Sequence, residues 1–287
     1  MPAMDSINLI RESPFLTVNY STVFEFEKGF DHEEWIVWFE TYWIVSVILS
    51  AVYVSLVFAC RKWMENRPRY DLRRALTIWS ACLAVFSWCG AIRLWTDFIF
   101  FMQRYNWDFK SSMCDPVFYG GVIGYWCWLF VISKLPELGD TVFIVLRKQR
   151  LIFLHWYHHI TVFVYSWYSY SGYTSTARYF ILMNFTVHAF MYTYYAIKAS
   201  RICRLPGWIS MCITGLQLTQ MFVGCLVNIE AYKYKKQGEF CSIGDDNLKF
   251  SFIMYFSYLV LFGHFFYVNY LVGKKPEQPA YDSKKMK

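Results

Sequence analysis

Charge is scarce in this chain. Of its 287 residues only 17% are Asp, Glu, Lys or Arg, against 56% hydrophobic, where a water-soluble domain carries about a quarter charged. Glycine and proline are few as well, at 14 and 8, which excludes a collagen-like or low-complexity polymer. The polar, aromatic-poor composition of a disordered chain is missing, as is the dense cysteine framework of a stapled secreted domain. The formal net charge of +7 is not gathered into a basic stripe interleaved with aromatics, so no nucleic-acid partner is expected. No internal repeat is visible. What the chain has in excess is rings. Twenty-seven Phe, 23 Tyr and 13 Trp exceed what a small globule buries, and lipid is the solvent that takes the remainder.

Residues 1–30 carry Asp5, Arg11, Glu12, Glu25, Glu27 and Lys28, which interrupt each apolar run before it reaches the length of a cleaved signal's core. The first hydrophobic stretch, Trp35 to Cys60, therefore reads as an uncleaved signal anchor. Seven stretches are long enough to cross a bilayer: 36–60, 76–102, 117–146, 151–171, 178–198, 207–230 and 249–273. Lys and Arg crowd the loops after the first, third and fifth spans and the tail, 17 against 9 on the opposite side. The positive-inside rule then places the N-terminus in the lumen and the C-terminus in the cytosol. The expectation is an all-α membrane protein of seven transmembrane helices. It has a lumenal segment 1–30, a helical domain 31–273 and a cytosolic tail 274–287. The ending Lys284-Lys285-Met286-Lys287 looks like a dilysine retrieval signal of the endoplasmic reticulum membrane. Asn19-Tyr20-Ser21 is a glycosylation sequon on the lumenal side. Of nine cysteines, only Cys114 and Cys241 fall in lumenal loops, and a disulfide between them is expected in that oxidising compartment. The other seven read mostly as small apolar fillers.

Ionisable groups inside a bilayer are costly and mark function. Here they converge. His155, His158 and His159 are spaced i, i+3, i+4 on one helix face near the cytosolic end of the fourth span. His188 lies mid-way along the fifth span, Lys134, Glu137 and Asp140 in the cytosolic half of the third, and Gln217 and Gln220 on the sixth. A polar chamber opening toward the cytosol follows. The glutamines also fit ordinary interhelical hydrogen bonding, and the third-span charges fit a structural ion-pair network. His264 reads as structural, His32 as solvated. The His-x-x-His-His spelling also occurs in membrane di-iron desaturases and hydroxylases, but those need more histidines, spread over several boxes, than the six present here. A single-metal site built from these histidines remains a minority alternative.

Four boxes now line up in order: Lys134-Leu-Pro-Glu137-Leu-Gly-Asp140-Thr141, His155-Trp-Tyr-His158-His159, His188-Ala-Phe-Met191-Tyr192-Thr-Tyr194-Tyr195 and Thr214-Gly-Leu-Gln217-Leu-Thr-Gln220. Together they resemble the ELO/ELOVL fatty acid elongases over roughly residues 30–273. The Trp-Tyr pair inside the histidine box is most similar to the branch acting on saturated and monounsaturated acyl chains. The resemblance implies a condensing enzyme of the endoplasmic reticulum, a very-long-chain 3-oxoacyl-CoA synthase. Its substrates are acyl-CoA and malonyl-CoA, and it uses no metal or organic cofactor. Its partners would be membrane lipids and the reductases and dehydratase that complete the cycle; homo-oligomer formation is left open. On this reading His158 is the nucleophile of a ping-pong cycle, His188 a proton or carbonyl handler, and His155 and His159 orienting groups. Lys134, Glu137, Asp140, Asn184, Tyr194, Tyr195, Gln217 and Gln220 support them. Arg147, Lys148, Lys198, Arg201 and Arg204 are candidates for the CoA phosphates. A seven-span transporter, a receptor or a metal-dependent lipid-modifying enzyme are the competing functions.

Overall fold

The computed structural model describes Tyr20 and residues 22–272; the sequon at Asn19 and the dilysine-type ending lie outside the described residues. Ten α-helices follow one another with no strand among the described residues: α1 (His32–Tyr42), α2 (Ile44–Met64), α3 (Arg73–Arg104), α4 (Phe109–Cys114), α5 (Gly121–Glu137), α6 (Asp140–Leu146), α7 (Phe153–Tyr170), α8 (Ala177–Ser200), α9 (Gly207–Lys236) and α10 (Asp245–Phe266). Short 3-10 turns stand at Glu25–Glu27 and Val117–Tyr119, and a π turn, Tyr267–Leu271, continues α10.

Four helices are long and apolar enough to cross a membrane by length and composition: Ile44–Met64, Arg73–Arg104, Gly207–Lys236 and Asp245–Leu271. The remaining expected spans are diluted for identifiable reasons. The stretch 117–146, expected as one span, is two helices that break at Leu138 and Gly139. Pro136 lies inside the end of α5, where a proline costs a backbone hydrogen bond. A side chain on Gly139 would press against the Trp79 ring and the Pro136 carbonyl. Helices α7 and α8 carry the histidine boxes, which lower their apolar content.

Helix pairing closes a ring in the order α3, α8, α9, α10, α7, α5 and back to α3, with α2 outside it against α6 and α7. The tightest pairing, α3 with α8, uses a missing side chain. A Cβ on Gly90 would stand 2.6 Å from the Phe185 ring, and one on Gly224 of α9 would collide with Tyr255 of α10. Small residues at such crossings let backbones approach where lipid offers no hydrophobic drive.

At one end of the ring three segments are zipped together. The Cys114–Cys241 disulfide joins two of them, as the sequence leads one to expect. Ser242 N–H donates to the Cys114 carbonyl and Ser175 N–H to the Ser242 carbonyl. Asn247 donates to Thr174 and accepts from Tyr165. His32, read from sequence as solvated, packs edge-on against Tyr173 here. The 22–30 segment is pinned to the ring by Glu27, whose carboxylate accepts from Arg93 at 2.9 and 2.7 Å and from Trp126 at 2.7 Å. Burial pushes the Glu27 carboxyl up, but these bonds and the Phe24 amide outweigh it and hold it below the ordinary carboxylate range.

Breaking the disulfide frees two segments that are 127 residues apart in sequence. Cys114→Ser should lower stability by about 2–4 kcal/mol. A drop in the melting temperature of the detergent-purified protein, matched by adding dithiothreitol to the wild type, is the expected result. The opposite end of the ring carries the basic loops 65–72, 147–152 and 201–206.

Candidate active site

The break between α5 and α6 sets the site's charged side. Lys134 and Glu137, on the last turn of α5, are 2% and 3% exposed and pair at 2.7 Å. A buried charge pair persists only where its remaining capacity is met, and the chain meets most of it. Glu137 Oε1 also accepts from Ser133, and Lys134 Nζ also donates to Asn184 Oδ1 at 3.1 Å. Asn184 Nδ2 in turn lies 3.3 Å from His188 Nε2, one turn further along α8. The other ring nitrogen, His188 Nδ1, faces Glu137 Oε2 at 3.9 Å, beyond hydrogen-bond range. Lys134, Glu137, Asn184 and His188 thus form one chain of contacts between two helices.

Asp140 begins α6 and points elsewhere. Its carboxylate accepts from Trp79 Nε1 at 2.6 Å and from Tyr192 OH at 2.7 Å, tying α6 to α3 and α8. Next in sequence, Thr141 is fully buried and lies between Tyr53 OH of α2 and His155 Nε2, the latter at 3.0 Å. On α7 the three histidines share a face, as their spacing predicts. His155 and His159 rings sit 4.5 Å apart, and His158 lies 5.6 Å from His159 and 4.8 Å from the Tyr258 ring. Among the described residues the His158 imidazole has no hydrogen-bond partner, unlike those of His155 and His188.

Two cavities meet at this face. The larger, about 380 Å³, is lined by His155, His158, His159, His188, Gln217 and Gln220 and extends to Tyr194 and Lys198. The second is narrower and mostly apolar. It runs from His158 past Phe130, Ile181 and Tyr255 to Tyr119, Ser169, Tyr170 and Ala177, under the zipped end of the ring. His158, Asn184, Gln220 and Met221 line both.

The basic end carries a third cavity that shares Asp140, His155, Tyr195 and Lys198 with the chamber. Arg147, Lys198 and Arg201 line it, as do Arg69 and Arg73, which sequence reasoning did not single out. The signal was present in the cation-rich loop before α3. Arg204 lines a separate recess with Lys198 and Arg201. Lys148 is not at the mouth. Its Nζ donates to the carbonyls of Glu65 and Arg67, stapling two loops. Gln217 donates to the Met191 sulfur, while Gln220 is buried at the junction. Tyr194 accepts from Lys198. Among the described residues no three His, Cys, Asp or Glu side chains are grouped to hold a metal ion.

The ELO family model, described as the GNS1/SUR4 family, matches residues 38–278. The chain belongs to the ELO family. It is 48% identical over 271 residues to very long chain fatty acid elongase 6 of Drosophila melanogaster, covering 92% of this chain and 85% of the relative. Very long chain fatty acid elongase 6 of Homo sapiens is 45% identical over 252 residues, covering 88% and 93%, and elongase 3 of Homo sapiens is 41% identical over 237 residues, covering 82% and 86%. In this ELO chain every box identified by sequence reaches the same chamber or its immediate support. Besides Asn184, two supporting residues that the sequence does not point to lie outside the boxes: Trp79, behind Asp140, and Tyr53, behind Thr141. Both are aromatic residues on apolar helices, and nothing in their spacing sets them apart from bundle packing.

Proposed function

We propose that the chamber performs the condensing step of fatty acid elongation through an acyl-histidine at His158. As an ELO enzyme the chain is a very-long-chain 3-oxoacyl-CoA synthase, joining a long-chain acyl-CoA to malonyl-CoA. The observation that carries the histidine assignment is the position of His158, at the junction of a polar chamber and an apolar, narrow one. A fatty acyl thioester has the same division: an apolar tail, a reactive carbonyl and a polar CoA. With the tail in the narrow cavity and CoA toward the basic mouth, the carbonyl falls at the junction.

The chemistry then needs only side chains already there. The His158 imidazole nitrogen attacks the thioester carbonyl, the carbon–sulfur bond breaks, and the ring's proton leaves with the thiol. Malonyl-CoA replaces CoA. Its carboxylate departs as CO2, leaving the electron pair on the α-carbon as an enolate. That carbon attacks the acyl carbon, the carbon–nitrogen bond breaks and returns its electrons to the ring, and the ring nitrogen takes up one proton from solvent, replacing the one that left with the thiol. The amide of Gln220 supports the developing oxyanion, and His188, held by Asn184, handles the proton. Arg69, Arg73, Arg147 and Arg201 attract the phosphates of both CoA esters in turn. No step calls for a metal or organic cofactor. The saturated and monounsaturated branch is the substrate class that fits the chain's relatives. The 3-oxo product passes to reductases and a dehydratase in the same membrane.

The topology that serves this reading has seven crossings. The basic mouth lies in the cytosol, where CoA esters are, and the disulfide end in the lumen of the endoplasmic reticulum, with the N-terminus lumenal and the C-terminus cytosolic.

The purified enzyme mixed with long-chain acyl-CoA and no malonyl-CoA should release one equivalent of CoA and carry an acyl group on the His158 peptide by mass spectrometry. Adding malonyl-CoA should discharge it with loss of CO2. If CO2 and product form without acylation in the first mixture, condensation is a single displacement and the histidines serve as acid and base only.

A further inference from the structure

We infer that Tyr53 and Thr141 are positioning residues for the reaction, a relay that fixes the tautomer of His155. The inference rests on the condensing function proposed for the chamber. Tyr53 belongs to α2, the helix outside the ring, and its hydroxyl reaches inward to Thr141; among the described residues it has no other partner. Thr141 Oγ1 then lies 3.0 Å from His155 Nε2.

Thr141 is unusual among the helical threonines. The hydroxyls of Thr161, Thr186, Thr193, Thr214 and Thr219 bond back to the carbonyl four residues earlier. Thr141 stands just after the α5–α6 break, and among the described residues its hydroxyl makes only the two side-chain bonds. Its single proton is therefore not committed to the backbone.

Proton bookkeeping sets the direction. Two hydroxyl protons must be shared in an apolar setting, where an unpaired donor costs about 1–3 kcal/mol. If Thr141 donated to Tyr53, the phenol proton would have no acceptor. If Tyr53 donates to Thr141 and Thr141 to His155 Nε2, both protons are placed. His155 Nε2 is then an acceptor and Nδ1 carries the ring's hydrogen. His155 lines both the chamber and the basic mouth. With that tautomer it presents an N–H donor there, suited to a thioester or enolate oxygen, and it does not compete with His158 as a nucleophile at Nε2. An unanchored imidazole would divide between two tautomers and two ring orientations.

The test uses steady-state condensation by the full-length enzyme in detergent, read as CO2 release from labelled malonyl-CoA. Melting temperature is followed alongside. Tyr53→Phe keeps the ring and removes one oxygen. It should lower kcat by about 10-fold or more, the scale for losing a group that orients a functional histidine, with KM for malonyl-CoA and the melting temperature unchanged. Thr141→Val should lose at least as much, and Thr141→Ser, which keeps the hydroxyl, should restore most of the rate. Wild-type kcat in Tyr53→Phe overturns the relay. So does a rate loss that follows the melting temperature, or one that Thr141→Ser fails to restore, since each leaves only helix packing. Wild-type enzyme that releases no CO2 speaks against the proposed function itself, and mutation of the relay plays no part in that outcome.

Discussion

His158→Ala should abolish condensation, with kcat/KM falling by about 10³-fold or more, the scale for losing an essential nucleophile or base. The effect is expected to be large because His158 is the one histidine that lines both cavities among the described residues. His155 is bonded to Thr141 and His188 to Asn184, while the His158 ring lies between the two cavities without a hydrogen bond among the described residues. Fold integrity is testable in the same preparation. His158 packs beside Tyr258, whose hydroxyl bonds the His158 backbone carbonyl rather than its ring, so the variant should keep its melting temperature within a few degrees. His188→Ala separates the roles. It should still accept an acyl group from acyl-CoA but discharge it slowly when malonyl-CoA is added. Equal loss of both half-reactions in the two variants would count against dividing nucleophile and proton handler in this way.

The second large effect is expected at Lys134. Replacing it by methionine leaves Glu137 buried, with Ser133 as its one hydrogen-bond donor among the described residues. An uncompensated buried charge costs about 3–5 kcal/mol, enough to unfold or inactivate a protein of ordinary stability. Lys134→Met should therefore lower the melting temperature sharply. The double variant Lys134→Met/Glu137→Leu removes both charges, and a buried pair replaced by apolar groups is often neutral. It should recover most of the melting temperature. Its activity should remain low, because Asn184 loses the ammonium that holds its oxygen and His188 loses the orientation that follows from it. A double variant with both stability and activity restored would reduce the network to a structural device.

Much of the site is legible in the sequence because bilayers make polar residues conspicuous. Three histidines at i, i+3, i+4, one on the next helix and a Lys-Glu pair cannot all be accidental in an apolar setting. The disulfide was legible for a similar reason, since only two cysteines fell in the loops of one side. Local pattern hid other features. The break in the third apolar stretch is hidden because Lys134, Glu137 and Asp140 read as the polar face of one continuous helix; Pro136 and the close approach of Trp79 to Gly139 accompany it. Lys148 stands among the CoA-binding candidates by neighbourhood, but its positive φ and two carbonyl contacts turn it to the loop before α3. Tyr53 and Trp79 act through single polar atoms on otherwise apolar rings. Hydropathy counts the ring and misses the atom.

On the proposed reading the acyl tail lies in the narrow cavity. It ends on Tyr119, Tyr170 and Ala177, beneath the segments joined by Ser242, Asn247 and the disulfide. With the tail's end against those residues, the product leaves by withdrawal, back past the groups proposed to make it. Each round lengthens the chain by two methylenes, and wall contact is worth about 0.8 kcal/mol per methylene removed from water. Two of them slow departure by roughly tenfold when that contact is lost on the way out. Tails short of the floor exchange freely, and the one that just reaches it is the most reluctant to leave. Turnover would then be governed at short lengths by chemistry and at the longest by retreat.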